Sequence, residues 1–153
     1  MKILVDADSC PRDAREILLR FSLRLGIKII FAANRQIPGI PAKPAINAQM
    51  DICPQEEGAA DRHILELAAA GDLVLTRDLP LAEQLVNRGI VVLDDRGRVF
   101  SKENIRTLRS IRDFVVGLAE NGLGSERSGL YGKKELKALS NSLDRELTKL
   151  LRK

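Results

Sequence analysis

Apolar residues along the chain fall into two alternating patterns. Short runs rich in β-branched side chains predict strands, and longer stretches with apolar residues every three or four positions predict helices. Lys2–Val5 is the first run, and it ends in Asp-Ala-Asp-Ser-Cys-Pro, with Pro11 placed to open a helix. From Pro11 to Leu25, the positions Ala14, Ile17, Leu18, Phe21 and Leu25 form one stripe, and Gly26 closes it. Strands are expected at Ile27–Ala32, weakly at Ile46–Ile52, and again at Leu73–Thr76 and Ile90–Leu93. Helices are expected near Ala59–Ala69, from Leu79 to about Asn87, and over Ser101–Ala119. A final helix follows from Leu136, Leu139, Leu143, Leu147, Leu150 and Leu151, which share one face. Strands alternating with amphipathic helices predict an α/β fold, a three-layer sandwich with a central, mostly parallel sheet of four to five strands.

Two stretches break the alternation. Asn34–Pro44 contains Gly39 and three prolines and reads as a surface loop, while Asn121–Gly132 holds four glycines and reads as a flexible linker. The chain therefore divides into an α/β domain at 1–120 and a linker with a basic amphipathic helix at 121–153. The helix would pack its leucines on the domain or on a second copy, and homo-oligomerisation through it is one expectation.

Composition narrows the class. With 153 residues there is enough chain for one self-sufficient core, and aromatics at 3% with no Trp make that core aliphatic. Cys10 and Cys53 form no CxxC or Cys/His cluster, so reduced thiols in a cytoplasmic protein are expected. No apolar run is long enough to span a bilayer, so no membrane partner is expected. The net charge is +4; residues 1–120 balance 17 Lys/Arg with 17 Asp/Glu, whereas 121–153 carry 8 against 4. A basic tail beside a neutral domain suits a polyanion, and it also suits a solvated helix face.

The acids carry the chemistry. Ligands of open α/β sheets bind outside the carboxyl ends of the strands, where Asp6 and Asp8, Asp78, and Asp94 with Asp95 all fall. Taken one by one, they have structural explanations: Asp8 and Asp78 as helix caps, Asp95 as the start of a turn. Gathered at one edge, they repel each other unless a cation or protons compensate, and hard oxygen ligands suit Mg²⁺ or Mn²⁺. Asp61, one turn before Ile64 and Leu65, points toward the same sheet. Arg12, Arg15, Arg35 and Arg77 are placed to hold backbone phosphates. His63, the single histidine, reads as a surface residue, and Cys10 as a small packed thiol.

The stretches Asp6-Ala7-Asp8-Ser9-Cys10-Pro11, Gly58-Ala59-Ala60-Asp61 and Gly71–Ala82 resemble those of the bacterial YaiI/YqxD family, over about residues 1–120. Where that family carries a Gly-Gly-Pro stretch near its C-terminal linker, this chain has Gly122-Leu123-Gly124. The resemblance implies a PIN-like domain akin to NYN domains, with strand-end acids holding divalent metal for phosphodiester cleavage. It implies Asp6, Asp61 and Asp78 as the catalytic metal site, Asp8 and Asp94 or Asp95 as supporting ligands, and nucleic acid, RNA first, as partner. Two other readings compete: a non-catalytic interaction module, and a haloacid-dehalogenase-like phosphatase using Asp6-Ala7-Asp8, Thr76 and Asp94-Asp95. The phosphatase reading lacks its lysine, since no Lys lies between Lys43 and Lys102.

Overall fold

A computed structural model describes residues 1–40, 47–120 and 130–152 of the chain. Five strands, β1 (Lys2–Asp6), β2 (Lys28–Ala33), β3 (Ala48–Ile52), β4 (Leu73–Leu75) and β5 (Val91–Leu93), form one sheet. Its order is β3-β2-β1-β4-β5, and every strand pair is parallel. Around it lie α1 (Arg12–Leu25), α2 (Ala59–Leu67), α3 (Leu79–Asn87), α4 (Lys102–Glu120) and α5 (Lys133–Leu151). The expected α/β sandwich is therefore present, with element bounds within about three residues of those read from the apolar pattern.

Strand alternation divides the core. Ile3 and Val5 of β1 face one layer with Leu18 and Phe21 of α1, whereas Leu4 faces the other with Ile64 of α2 and Leu81 and Leu85 of α3. The strands are apolar on both sides, as a sheet covered on both faces requires. Lys2 ties the sheet's lower edge: its backbone N–H and its Nζ donate to Asp72, at 3.0 and 2.7 Å, so the starts of β1 and β4 are fixed together. Arg88, just past α3, donates to the carbonyls of Leu65 and Ala68 at 2.8 and 2.9 Å and so closes the C-terminal end of α2.

The leucine helix docks within the chain. Leu139, Leu143 and Leu147 of α5 are fully buried in the layer that contains α1. This removes the basis for homo-oligomerisation through that helix, because the stripe that called for a partner is already covered. Its N-terminal half rests on the turn after β5: Tyr131 Oη donates to the Asp95 carbonyl at 2.5 Å and Ser142 Oγ to the Gly97 carbonyl at 2.5 Å. The glycine-rich linker lies at 121–129, outside the described residues, as does the part of the proline loop at 41–46.

Chain order places the functional edge. From β1 the chain steps outward to β2 and β3, then returns to the other side of β1 for β4 and β5. The order thus reverses between β1 and β4, and the crevice above their carboxyl ends is the switch point where such sheets bind ligands.

Candidate functional site: an aspartate cluster at the switch point

Asp6 is the last residue of β1 and points to the layer of α2 and α3, the same side as Leu4. It is 9% exposed. Two hydroxyls hold it: Thr76 Oγ1 donates to Asp6 Oδ2 at 3.0 Å, and Ser9 Oγ, from the single 3₁₀ turn at Ala7–Ser9, lies 3.3 Å from the same oxygen. Burial pushes the Asp6 carboxyl above its ordinary pKa, the hydroxyls draw it partly back, and the charges of Asp78 and Asp8 raise it again.

Thr76 joins two strands' worth of chemistry. Directly after β4 and 1% exposed, it donates to Asp6 and accepts the Asp78 N–H at 3.0 Å. Asp78 is the N-cap of α3: its Oδ1 accepts the Leu81 N–H at 2.9 Å, and Pro80 stands in the first turn. The capping reading of Asp78 thus holds, and the same carboxyl also bonds Asp61.

Asp61 reaches the cluster from the first turn of α2. That helix starts at Gly58, whose φ of 78° is a left-handed conformation that a side chain would strain. The Asp61 carboxyl is pushed up to about 6, first by burial, then by the charges of Asp78 and Asp6 and by its hydrogen bond to Asp78. At mildly acid pH it is therefore Asp61 that carries the proton.

The structure therefore gathers Asp6, Asp61 and Asp78, with Asp8 beside them. Asp6, Asp8 and Asp61 line a depression of about 260 Å³ together with Asn34, Glu57 and Gly58. Asp8 is half-exposed and pairs with Arg35 at 3.6 Å, which keeps that arginine at the rim. Among the described residues no group of three or more acidic, Cys or His side chains is drawn together closely enough to hold an ion. The donor set is nonetheless all hard oxygen, and its raised pKa values express a repulsion that a divalent cation offsets.

Asp94 and Asp95 serve other ends. Asp94 Oδ1 accepts the N–H groups of Arg96 and Arg98 at 3.0 and 2.8 Å, shaping the turn after β5. Asp95, 1% exposed, is held by Arg77 in a two-pronged ion pair, with Nε at 2.9 Å from Oδ1 and Nη2 on Oδ2. Expected as supporting ligands, these carboxylates have turn and ion-pair partners, and neither lines the depression of Asp6, Asp8 and Asp61. Arg77, expected on phosphate, is committed to Asp95 in the same way. Arg15 donates to the Cys10 carbonyl at 2.6 Å, and Arg12 is a solvent-exposed partner of Glu16 at 3.5 Å. Arg35 is thus the candidate arginine paired with an acid of the depression.

Two further residues differ from expectation or confirm it. His63 is half-buried, its Nε2 2.7 Å from Asp51 Oδ2, in a separate depression of about 570 Å³ along β3. Burial works to raise Asp51, but hydrogen bonds from His63 and Gln49 and the nearby cations hold it below the usual carboxylate range. Cys10 is 4% exposed, and burial pushes its thiol up to about 12, which makes it the packed thiol expected. Asn34 was not singled out from the sequence, and Thr76 entered only as an element of the phosphatase reading, not as a partner of Asp6 and Asp78. Both lie at strand ends facing the crevice, the same rule that selected the acids.

The comparisons with known proteins agree with each other. The family described as "Uncharacterized BCR, YaiI/YqxD family" matches residues 4–149. A UPF0178 protein of Treponema denticola is 46% identical over 152 residues, covering 99% of this chain and 95% of its own. Those of Treponema pallidum and Myxococcus xanthus are 43% and 39% identical, each over 99% of this chain and over 84% and 97% of their own. No solved structure matches. The match reaches beyond residue 120 to include α5, in keeping with that helix being part of the core, and the chain belongs to the YaiI/YqxD family.

Proposed function

We propose that this chain is a divalent-metal-dependent nuclease of PIN-like type that hydrolyses phosphodiester bonds, with RNA as substrate. The observation that carries the reading is the convergence of Asp6, Asp61 and Asp78 from three separate elements on the switch-point crevice, with Asp61 raised to about 6. Asp6, Asp61 and Asp78 are the residues that would hold Mg²⁺ or Mn²⁺, with Asp8 in support. When bound, such an ion supplies positive charge for the phosphate oxygens and lowers the pKa of water.

The chain's own groups have definite parts in this scheme. Thr76 and Ser9 fix the orientation of Asp6 Oδ2. The Asp61 carboxyl, raised to about 6 by burial and by Asp78 and Asp6, gives up its proton near neutral pH and is then free to take a cation. Arg35, at 61% side-chain exposure beside Asp8, is placed to take a phosphate oxygen of the strand.

Cleavage of a labelled single-stranded RNA by the purified chain tests the reading, in Mn²⁺ and in chelator. Activity dependent on Mn²⁺ and reduced at least a hundredfold by Asp6→Asn is expected. Activity that survives both chelator and Asp6→Asn would defeat the proposal.

A further inference from the structure

The depression along β3 has open backbone groups on one side. β3 is the last strand of the sheet, and its parallel ladder with β2 uses the backbone of alternate residues: the Asn47 carbonyl accepts the Ile29 N–H and the Cys53 N–H donates to the Ala33 carbonyl, both at 2.7 Å. Alternation then turns the N–H and C=O of Met50 and Ile52 outward, and among the described residues no strand lies beyond them. Both residues line the depression, and Ile52 is 59% exposed. At about 570 Å³ the space is within the range of roughly 300–1,000 Å³ that small ligands occupy.

His63 stands beside this edge with its ring fixed in advance. Its Nε2 meets Asp51 Oδ2, and Gln49 Nε2 donates to the other oxygen of the same carboxylate, so the pair is ordered without a ligand. The His63 side chain is still 31% exposed. The charges do not suit a phosphate. Asp51 and Glu66 are acidic, and Arg62 is taken by Glu56 and by the Glu57 carbonyl, each at 3.3 Å. A planar, uncharged group with a donor and an acceptor on one edge suits an imidazole beside an open strand.

We infer that this depression is a nucleobase subsite, in which an unpaired base sets its hydrogen-bonding edge on the outward N–H and C=O of β3 and its face on the His63 ring. The inference rests on the nuclease reading for the strand to which the base belongs, and it deepens that reading: the substrate is single-stranded here, because a paired base has its edge occupied. Every base carries a neighbouring donor and acceptor, so a backbone edge holds any of them without choosing. Ala59 lines both this depression and that of Asp6, Asp8 and Asp61, and α2 carries Asp61 and His63 two residues apart. The base held here thus belongs to a nucleotide close to the phosphate at the cluster. A peptide strand also adds to open edges, but two outward residues match a base edge better than a strand of about five.

His63 is the single histidine of the chain, so its ring resonances report this depression alone. The full chain, in chelator throughout, is titrated with adenosine monophosphate, uridine monophosphate and ribose phosphate. Both nucleotides should move the His63 resonances saturably, with a dissociation constant of about 1 mM, and ribose phosphate should leave them in place. Read by saturation transfer to the base protons, binding should weaken at least fivefold in His63→Ala and stay near the wild-type level in His63→Phe, which keeps a ring and loses the Asp51 bond. Ile52→Pro removes one outward N–H at an edge where proline is tolerated, and it should weaken binding to a similar degree. No metal is present and no cleavage is read, so this outcome is separate from that of the nuclease reading. Resonances unmoved by about 20 mM nucleotide, or moved equally by ribose phosphate, overturn the inference. Nucleotide binding equal in wild type and His63→Ala does the same. Movement by an extended valine–threonine hexapeptide and by neither nucleotide would give the edge to a peptide strand and overturn it as well.

Discussion

Thr76 is the residue on which the aspartate cluster turns. Its hydroxyl has one proton, given to Asp6, and one lone pair used by the Asp78 N–H, so a 1% exposed side chain satisfies both a carboxylate and a helix cap. Thr76→Val keeps the shape and removes both bonds. Loss of a donor to a buried carboxylate leaves Asp6 desolvated without compensation, which costs about 1–3 kcal/mol. The Thr76 bond lowers the Asp6 pKa, so in the variant that pKa rises further. The deficit in urea unfolding should then be largest at pH 8 and shrink as Asp6 becomes neutral in acid. An equal deficit at all pH values would mean that Thr76 acts only through packing. The acids were legible in the sequence because a strand-end carboxylate needs only the strand boundary to be placed. What Thr76 does was not, because its two partners are seventy residues and two residues away and no periodicity links them.

At the scale of elements, α5 shows how a legible helix hides its seat. The six leucines mark its buried face, yet nothing in their spacing says that the seat includes Gly97. A Cβ on Gly97 would lie 2.5 Å from the Ala138 carbonyl oxygen and 2.9 Å from the Leu139 nitrogen, and its φ is 84°. Gly71 has a similar φ of 93° but open space around it. The pair separates two effects that usually come together. Gly71→Ala should cost about 1 kcal/mol, from backbone strain alone. Gly97→Ala adds a collision with backbone atoms of a docked helix and should cost about 2–4 kcal/mol. Equal losses in urea unfolding would show that α5 shifts without penalty. The helix α4 was read from the sequence only as a span, Ser101–Ala119, with nothing to separate the part that packs on α3 from the exposed residues 110–116.

For the molecule as a whole, the strand order turns local acids into a shared site, and the energetics of that site can be tested without knowing its substrate. Parallel strands were readable from the β-branched runs, but the reversal between β1 and β4 was not, since order depends on which strands pair. That reversal brings Asp6 and Asp78 to one crevice, and Asp61 above them carries the electrostatic cost. Its folded pKa of about 6 exceeds the model-peptide value of 3.8. A raised pKa means that the folded state binds the extra proton, so the stabilisation is complete below about pH 4 and is lost as pH rises through 6. Because Asp61 is only partly buried, solvent screening reduces the effect to about 1 kcal/mol. Asp78→Asn keeps a capping oxygen for Leu81 and removes one of the charges that raise Asp61. In this variant the Asp61 carboxyl should titrate lower, and thermal stability at pH 8 without metal should equal or exceed that of the wild type. An ion that binds only the folded state stabilises by mass action, about 2.7 kcal/mol at a hundredfold excess over its dissociation constant. Wild type should therefore melt higher with Mn²⁺ than with chelator, and more so at pH 8 than at pH 5, where a proton competes for the Asp61 carboxyl. Asp78→Asn has lost a ligand and should gain little at either pH. If Asp78 were only a cap, Asn would serve as well and the metal response would be untouched, so identical Mn²⁺ shifts in both proteins would take Asp78 out of the site.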